Sequence, residues 1–411
     1  MPRTWDIIES VLEQPSVFRN REKLYPEYVP SYLPHREEEL RTLASHFKPL
    51  LTDPGSISQR VLLVGGIGTG KTATARRFGK DFSILARQKG VNLEYVHVNC
   101  HRDRTLYLVV QEVARQLRIP IPPRGLSAQE MFHMVLKHLD NHGIYVLLTL
   151  DEFDYFIEVA GSDAVYFLVR TYDEHPDLAK RINFIFIARS LSSLSRLDSA
   201  TESYLMRNVI QFNPYTASEI YDILKFRSEE AFYPGTVSDE ILRYIAELTG
   251  VDTGGTGNAR IALEILALAG SIADREGAGK VMLDHVRRAF TEANPQLTVM
   301  VNDVIRHLPL HELFVLLAVV RALKKRQEPY VKMGDVEEEY HEIAESYNEK
   351  PRGHTQIYEY IVDLKKRGVI DARLSGKGYR GKTTLVGISL GPLDQLEKHI
   401  IEVINLYTGA N

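Results

Sequence analysis

The stretch Gly65-Gly66-Ile67-Gly68-Thr69-Gly70-Lys71-Thr72 decides the fold. It fits the pattern G-x-x-x-x-G-K-[ST], follows the apolar run Val61-Leu62-Leu63-Val64 and opens a helix-patterned segment at 72–82. Strand, glycine-rich loop and helix in that order are the context this pattern needs. The glycines let successive backbone N–H groups converge on a phosphate, and the helix N-terminus adds a partial positive charge. Lys71 is then placed to reach β- and γ-phosphates, and the Thr72 hydroxyl to ligate Mg²⁺. Gly66, Gly68, Thr69, Gly70, Lys71 and Thr72 therefore read as an ATP/ADP cradle.

A second copy of the pattern, Gly376-Lys377-Gly378-Tyr379-Arg380-Gly381-Lys382-Thr383, leads into a strand-like run. With no helix behind it there is no dipole to receive a phosphate, so it reads as a hairpin tip. Outward from the first copy, apolar runs at 61–64, 93–98, 145–150 and 184–188 alternate with amphipathic stretches such as 106–117. That alternation indicates a parallel α/β sheet. The run at 145–150 ends in Asp151-Glu152. An acidic residue at the carboxyl end of a neighbouring strand suits Mg²⁺, often through water, and the adjacent glutamate suits polarising a water for attack on the γ-phosphate. Thr72 and Asp151 are thus the candidate metal ligands, and Glu152 and Lys71 the candidate catalytic residues.

After Asn213-Pro214 the pattern is helical, over 216–232, 238–248, 259–274 and 284–293, with Glu219 placed for a capping box at Thr216 or Ser218. From 308 onward three helices (310–325, 333–347, 355–367) precede two strands (369–373, 384–390) joined by the basic glycine-rich tip. Three helices and such a hairpin form a winged helix. Four segments follow: a lead-in at 1–55 with seven prolines, a P-loop core at 56–215, an all-α lid at 216–298 and a winged helix at 299–411.

Composition agrees with a soluble intracellular chain. The 411 residues are 44% hydrophobic and 25% charged with net charge −4, the ordinary globular range. The longest apolar run, 313–320, is far shorter than a membrane span, the N-terminus lacks a secretory apolar region, and the one cysteine, Cys100, cannot form an internal disulfide. A reducing cytoplasm, at the nucleoid, is the expected location. His138 and His142 have i, i+4 spacing but lack the intervening glutamate of a zinc helix, and read as surface histidines.

Taken together the motifs resemble the AAA+ ATPases of the archaeal origin-recognition initiator family. The resemblance rests on Tyr28-Val29-Pro30, Pro34-His35-Arg36-Glu37, Gly68-Thr69-Gly70-Lys71-Thr72, Val98-Asn99-Cys100, Asp151-Glu152-Phe153-Asp154, Phe212-Asn213-Pro214-Tyr215, Gly257-Asn258-Ala259-Arg260 and the C-terminal winged helix, in the family's order over roughly 15–390. It implies an ATP/ADP-switched initiator that marks replication origins, with duplex DNA, other initiator subunits and the replicative helicase as partners and no membrane. It implies that Val29, Pro30 and Arg36 border the adenine, that Tyr215 and Arg227 contact the nucleotide, and that Arg260 is the lid arginine reaching a phosphate. Two positions depart from the family. Arg189 stands where asparagine usually helps position the attacking water, and Ala200 where an arginine finger is common. Hydrolysis is therefore expected to be slow. A nucleotide-bound, essentially non-catalytic DNA-binding regulator is the alternative, and a winged helix that binds protein another.

Two surfaces read as DNA-binding. Between 351 and 382 eight Lys/Arg face three Asp/Glu, a local balance of +5. Arg352, His354, Thr355, Gln356 and Tyr358 lie at the leading end of the third helix, which in a winged helix enters the major groove, and Lys377, Tyr379, Arg380 and Lys382 lie on the wing. The second surface is His101-Arg102-Asp103-Arg104-Thr105, where the family inserts a DNA-touching helix; Arg102 and Arg104 are its candidate contacts, the alternative being an exposed helix start capped by Asp103.

Overall fold

The computed structural model describes residues 4–5, 16–122, 125–174, 179–375 and 383–408. The chain divides into two compact units, one of Pro26–Ile223 with Gly250–Ala259, the other of Met1–Tyr25, Leu224–Thr249 and Arg260–Asn411.

The first unit is built on five parallel strands: β1 (Arg60–Gly65), β2 (Leu93–Asn99), β3 (Tyr145–Asp151), β4 (Ile182–Ala188) and β5 (Val209–Phe212), in the order β2-β3-β4-β1-β5. Helices α1 (Glu37–Phe47), α2 (Lys71–Gln88), α3 (Leu106–Gln116), α4 (Ala128–Asn141) and α5 (Phe153–Glu174) flank it. All seven residues of β4 are buried, as a strand covered on both faces must be. The two-residue period sorts the side chains. Leu62, Val64, Val96, Val98, Leu148, Phe184 and Phe186 pack with α3, α4 and α5, while Val61, Leu63, Leu147, Ile185, Ile187 and Phe212 pack against Phe47 of α1 and Phe78 and Phe82 of α2. Helix α5 breaks at Gly161, whose φ of 75° leaves the helical region.

Parallel strands bring their carboxyl ends to one edge. The loops after β1, β2, β3 and β4 therefore gather where open α/β sheets bind ligands. The register sets Asn99 opposite Asp151 and Gly65 opposite Phe212. The alternation in the sequence marked four of the strands. β5 went unmarked because it is four residues long and pairs on one side only, with β1.

In the second unit the lid helices are α6 (Ala217–Ala231) and α8 (Ala259–Glu276), each beginning in the first unit, with α7 (Asp239–Thr249) and α9 (Leu283–Ala293). The capping box forms at Thr216: its N–H and hydroxyl bond Glu219 Oε2 at 2.8 and 3.0 Å. The winged helix comprises α10 (Pro295–Arg306), α11 (Leu310–Arg326), β6 (Tyr330–Lys332), α12 (Met333–Ser346), α13 (His354–Lys366), β7 (Asp371–Leu374), β8 (Thr384–Gly387) and α14 (Leu393–Thr408). Its antiparallel sheet runs β6-β8-β7. Every residue of the apolar run 313–320 is fully buried, so α11 is the centre of this core. Lid and winged helix are joined by buried polar contacts. Arg287 donates to the carbonyls of Ile388 and Glu328, both at 3.1 Å, and the Tyr244 hydroxyl donates to Ile388 O at 3.1 Å. Among the described residues no helix is long and apolar enough to cross a membrane.

Two glycines with opposite surroundings test the packing. A Cβ on Gly79 of α2 would lie 2.1 Å from the Tyr95 ring, whereas one on Gly334 in α12 meets nothing within 4 Å. Gly79→Ala should cost about 1–3 kcal/mol and lower the thermal midpoint. Gly334→Ala should leave it unchanged or raise it by the equivalent of about 0.5–1 kcal/mol. Thermal unfolding of the two variants reads the difference; equal midpoints would contradict the close α2–β2 contact.

Candidate nucleotide site and DNA-facing surfaces

The loop between β1 and α2 leaves no room for side chains on its inner side. Gly68 and Gly70 have φ of 76° and 90°, a conformation glycine adopts without strain. A Cβ on Gly65 would lie 2.3 Å from Phe212 O, on Gly68 1.7 Å from Asn258 Oδ1, and on Gly70 2.6 Å from the Tyr215 hydroxyl. Asn258 and Tyr215 therefore back the loop directly. The Ala259 amide donates to Gly68 O at 3.2 Å and the Tyr215 amide to Gly257 O at 3.0 Å.

Behind the loop lies Arg36, only 5% exposed. Its Nε and Nη2 donate to Thr69 O at 3.0 and 2.8 Å, Nη2 also to Asn213 O at 3.2 Å and Nη1 to His35 O at 2.6 Å. The guanidinium sits 3.9 Å from the centre of the Tyr215 ring and 3.3 Å from Glu39. Burial pushes the Tyr215 phenol up to about 12. Both residues had been expected at the base or the nucleotide. Here two donors of Arg36 serve the loop carbonyl of Thr69 and the others those of Asn213 and His35, so it ties the cradle to the lead-in and to the end of β5. Pro30 is buried, and Val29 lines a cleft of about 630 Å³ with Tyr28 of the lead-in, Arg76 and Lys80 of α2, and Tyr95 and His97 of β2.

At the mouth of the loop Lys71 Nζ donates to the carbonyls of Gly65 and Gly66, both at 2.6 Å. Thr72 follows Lys71 in the first turn of α2, and its side chain helps to lower the Asp151 carboxyl. Asp151 is 3% exposed, accepts from the Glu152 amide at 2.9 Å, and lies 3.2 Å from His97 Nε2. Burial alone would raise this carboxyl, but His97 and the nearby Thr72 side chain hold it below the ordinary value, so it is an anion. Hydroxyl and carboxylate oxygens side by side are the hard donor set that Mg²⁺ takes, with phosphates and water completing the shell. The residues present fit that ion. His97 went unremarked in the sequence; the period-2 pattern of β2, which points 95 and 97 toward α2, was the available signal.

Glu152 holds φ at 54°, an uncommon conformation for a side chain of this size, of the kind that gathers at functional sites. Arg189 lies beside it, with Nη2 3.8 Å from Glu152 Oε1, Nε 3.5 Å from Asp154 Oδ2, and Nη2 donating to the Tyr155 hydroxyl at 3.0 Å. Ala200 is exposed in a short helix, Ser199–Leu205; of its neighbours, Arg196 pairs with Glu158 at 3.3 Å and Arg207 stacks on Tyr204.

The segment after β2 is exposed, but its arginines have partners. Arg102 pairs with Asp103 at 2.7 Å and Glu112 at 3.3 Å, and Arg104 Nε donates to His101 O at 2.7 Å. The cap of α3 is Thr105, not Asp103: its hydroxyl accepts from the Leu108 amide at 3.3 Å, and Asp103 is taken up by Arg102.

In the second unit, Arg227 is buried and donates to the lead-in carbonyls of Lys23 and Tyr25 at 2.6 and 3.4 Å. Arg260 is exposed at the second position of α8. Arg352, His354, Thr355, Gln356 and Tyr358 are all exposed at the start of α13, whose Ile357, Ile361 and Leu364 face the core. His354 pairs with Glu337 and Gln356 bonds Glu359 at 2.9 Å. Lys377, Tyr379, Arg380 and Lys382 lie outside the described residues.

A P-loop strand–helix unit with an acidic strand end beside it, a helical lid and a winged helix define an AAA+ ATPase. Family models agree: an AAA domain matches 58–196, the Cdc6 AAA+ ATPase-type lid domain 221–291, and the CDC6 C-terminal winged helix domain 303–398. ORC1-type DNA replication protein 2 of Sulfurisphaera tokodaii is 47% identical over 397 residues, 96% of this chain and 95% of that protein. Its namesake from Saccharolobus solfataricus is 48% identical over 390 residues, 94% of each chain. The chain belongs to the ORC1-type DNA replication proteins, the archaeal origin-recognition initiators. Among solved structures, Cdc6p from Pyrobaculum aerophilum superposes with a TM-score of 0.82 at 32% identity, over 96% of this chain and all of that one. The Aeropyrum pernix ORC1 protein, solved in complex with DNA, gives 0.60 at 30% identity over 95% and 97%.

Arg36 provides a direct check of the clamp. Arg36→Ala leaves Thr69 O without its donors and Glu39 without its partner, and should cost about 3 kcal/mol of stability. Arg36→Lys, which keeps the charge but not the fork, should recover only part of it. Chemical denaturation reads this; a variant as stable as the native chain would show that the buried guanidinium does not hold the loop.

Proposed function

We propose that the protein is an ATP/ADP-switched initiator that binds duplex DNA at replication origins through α13 and the wing and through the 101–105 segment of the core. It hydrolyses ATP slowly. The observation that carries the nucleotide part is the glycine-rich loop with Lys71 Nζ held at its carbonyls, together with the buried, ionised Asp151 on which the Thr72 side chain acts. In this reading the amides of 66–72 and Lys71 bind the β- and γ-phosphates, and Thr72 and Asp151 hold Mg²⁺. The ion, when bound, neutralises charge on the phosphate oxygens. Glu152 takes a proton from a water whose oxygen bonds to the γ-phosphorus while the bridging oxygen leaves with ADP. Arg260 supplies the lid's positive charge, and Arg227 holds the lead-in through the carbonyls of Lys23 and Tyr25.

The DNA part is supported by the exposed leading end of α13 and by likeness to the Aeropyrum pernix protein solved with DNA. Other initiator subunits and the replicative helicase are the further partners of such a protein, and the nucleoid its place. Arg189 beside Glu152 favours one second reading, a nucleotide-bound regulator whose hydrolysis is negligible.

Lys71→Ala should abolish or greatly weaken ATP binding with the fold intact, read by titration and circular dichroism; unchanged affinity would remove the site. On DNA, Arg352→Ala should weaken all duplexes about equally and reduce the salt slope by about one unit. Gln356→Ala should instead narrow the affinity gap between preferred and unrelated sequences. Binding isotherms over a salt series separate the two; identical behaviour would mean α13 does not read bases.

A further inference from the structure

Arg189 does more than replace a family asparagine. Its guanidinium faces Glu152 and Asp154, and is tied to Tyr155 both by the 3.0 Å hydrogen bond and by lying 4.9 Å from the ring centre. The Arg189 amide donates to Asp154 Oδ1 at 2.9 Å, which fixes the root of the side chain. On its other side Tyr155 meets His101 edge-to-face, with ring centres 4.6 Å apart. His101 O in turn accepts from Arg104 at 2.7 Å. One unbroken series of contacts thus runs from the exposed basic turn after β2, through His101, Tyr155 and Arg189, to the Glu152 carboxylate, all within the first unit.

We propose that Arg189 is a positioning residue that restrains Glu152, and that a phosphate backbone seated on the 101–104 turn releases the restraint through His101 and Tyr155. This rests on the nucleotide reading above. The cation competes with the attacking water for the Glu152 carboxylate, which slows hydrolysis. A DNA phosphate competes with His101 O for the Arg104 guanidinium, so the turn loosens, His101 withdraws from the Tyr155 ring, and Tyr155 ceases to hold Arg189 in place.

The full chain tests this. Single-turnover hydrolysis is followed with and without mixed-sequence duplex in the native protein, Arg189→Asn and Tyr155→Phe, with the affinity for a fluorescent ATP analogue measured alongside. Histidine labelled with ¹³C at Cε1 reports on His101, whose resonance His101→Gln assigns. Arg189→Asn should speed hydrolysis by about two- to fivefold, the scale of one exposed ion pair. It should leave analogue affinity unchanged, abolish the response to duplex and shift the His101 resonance. Tyr155→Phe should do the same to a smaller extent. Hydrolysis no faster in Arg189→Asn than in the native protein, including none in either, overturns the proposal. So does a His101 resonance that Arg189→Asn and duplex both leave in place. Absence of analogue binding by the native protein would instead sink the nucleotide reading, and the resonance, which needs no nucleotide, would still decide the contact series.

Discussion

The buried guanidinium of Arg36 is the contact on which the site depends. A phosphate loop works by turning its amides outward, which leaves carbonyls such as Thr69 O pointing into the protein. Without water these must find donors. Arg36 supplies them, and its charge is made tolerable by Glu39 and by the face of Tyr215. Because Tyr215 and Asn258 close against Gly70 and Gly68, neither of these two glycines admits a side chain. Lead-in, loop and core-to-lid junction are in this way one piece of packing.

The same economy appears at the acidic strand end. Asp151 stays charged although it is buried, because His97 and the Glu152 amide bond to it and the Thr72 side chain lowers it further. Removing any one would leave an anion less well satisfied in a low-dielectric place. In the other unit the Ile388 carbonyl plays a similar part, shared by Arg287 of α9 and Tyr244 of α7. Lid and winged helix are locked together there, in one compact unit that also holds α13.

Much of this was legible in the sequence, for identifiable reasons. The P-loop is local: its residues, strand and helix are contiguous, and so are the four lid helices and the Thr216–Glu219 capping box. Asp151-Glu152 was legible because it ends an apolar strand. What escaped depends on partners distant in the chain. β5 and β6 are four and three residues long and exist by pairing with β1 and β8. α10 and α14 were not foreseen, though both pack on the winged-helix core. His97 could not be assigned until β2 was set beside β3, and Arg36 matched a motif without revealing which of its neighbours it serves. Asp103 was the cap in the alternative reading of this segment, but it lies two residues too early and is held by Arg102, and Thr105 caps α3.

The central claim is that Lys71, Thr72 and Asp151 together form a site for a metal-bound nucleoside triphosphate. The most direct measurement is a crystal structure of the full chain with a non-hydrolysable ATP analogue and Mn²⁺, collected to locate the metal by its anomalous scattering. The expected result is an anomalous peak beside Thr72 Oγ1 and the Asp151 carboxylate, directly or through one water, with Lys71 Nζ moved from the carbonyls of Gly65 and Gly66 onto phosphate oxygens. An analogue seated elsewhere, or a metal with neither Thr72 nor Asp151 near it, would contradict the claim.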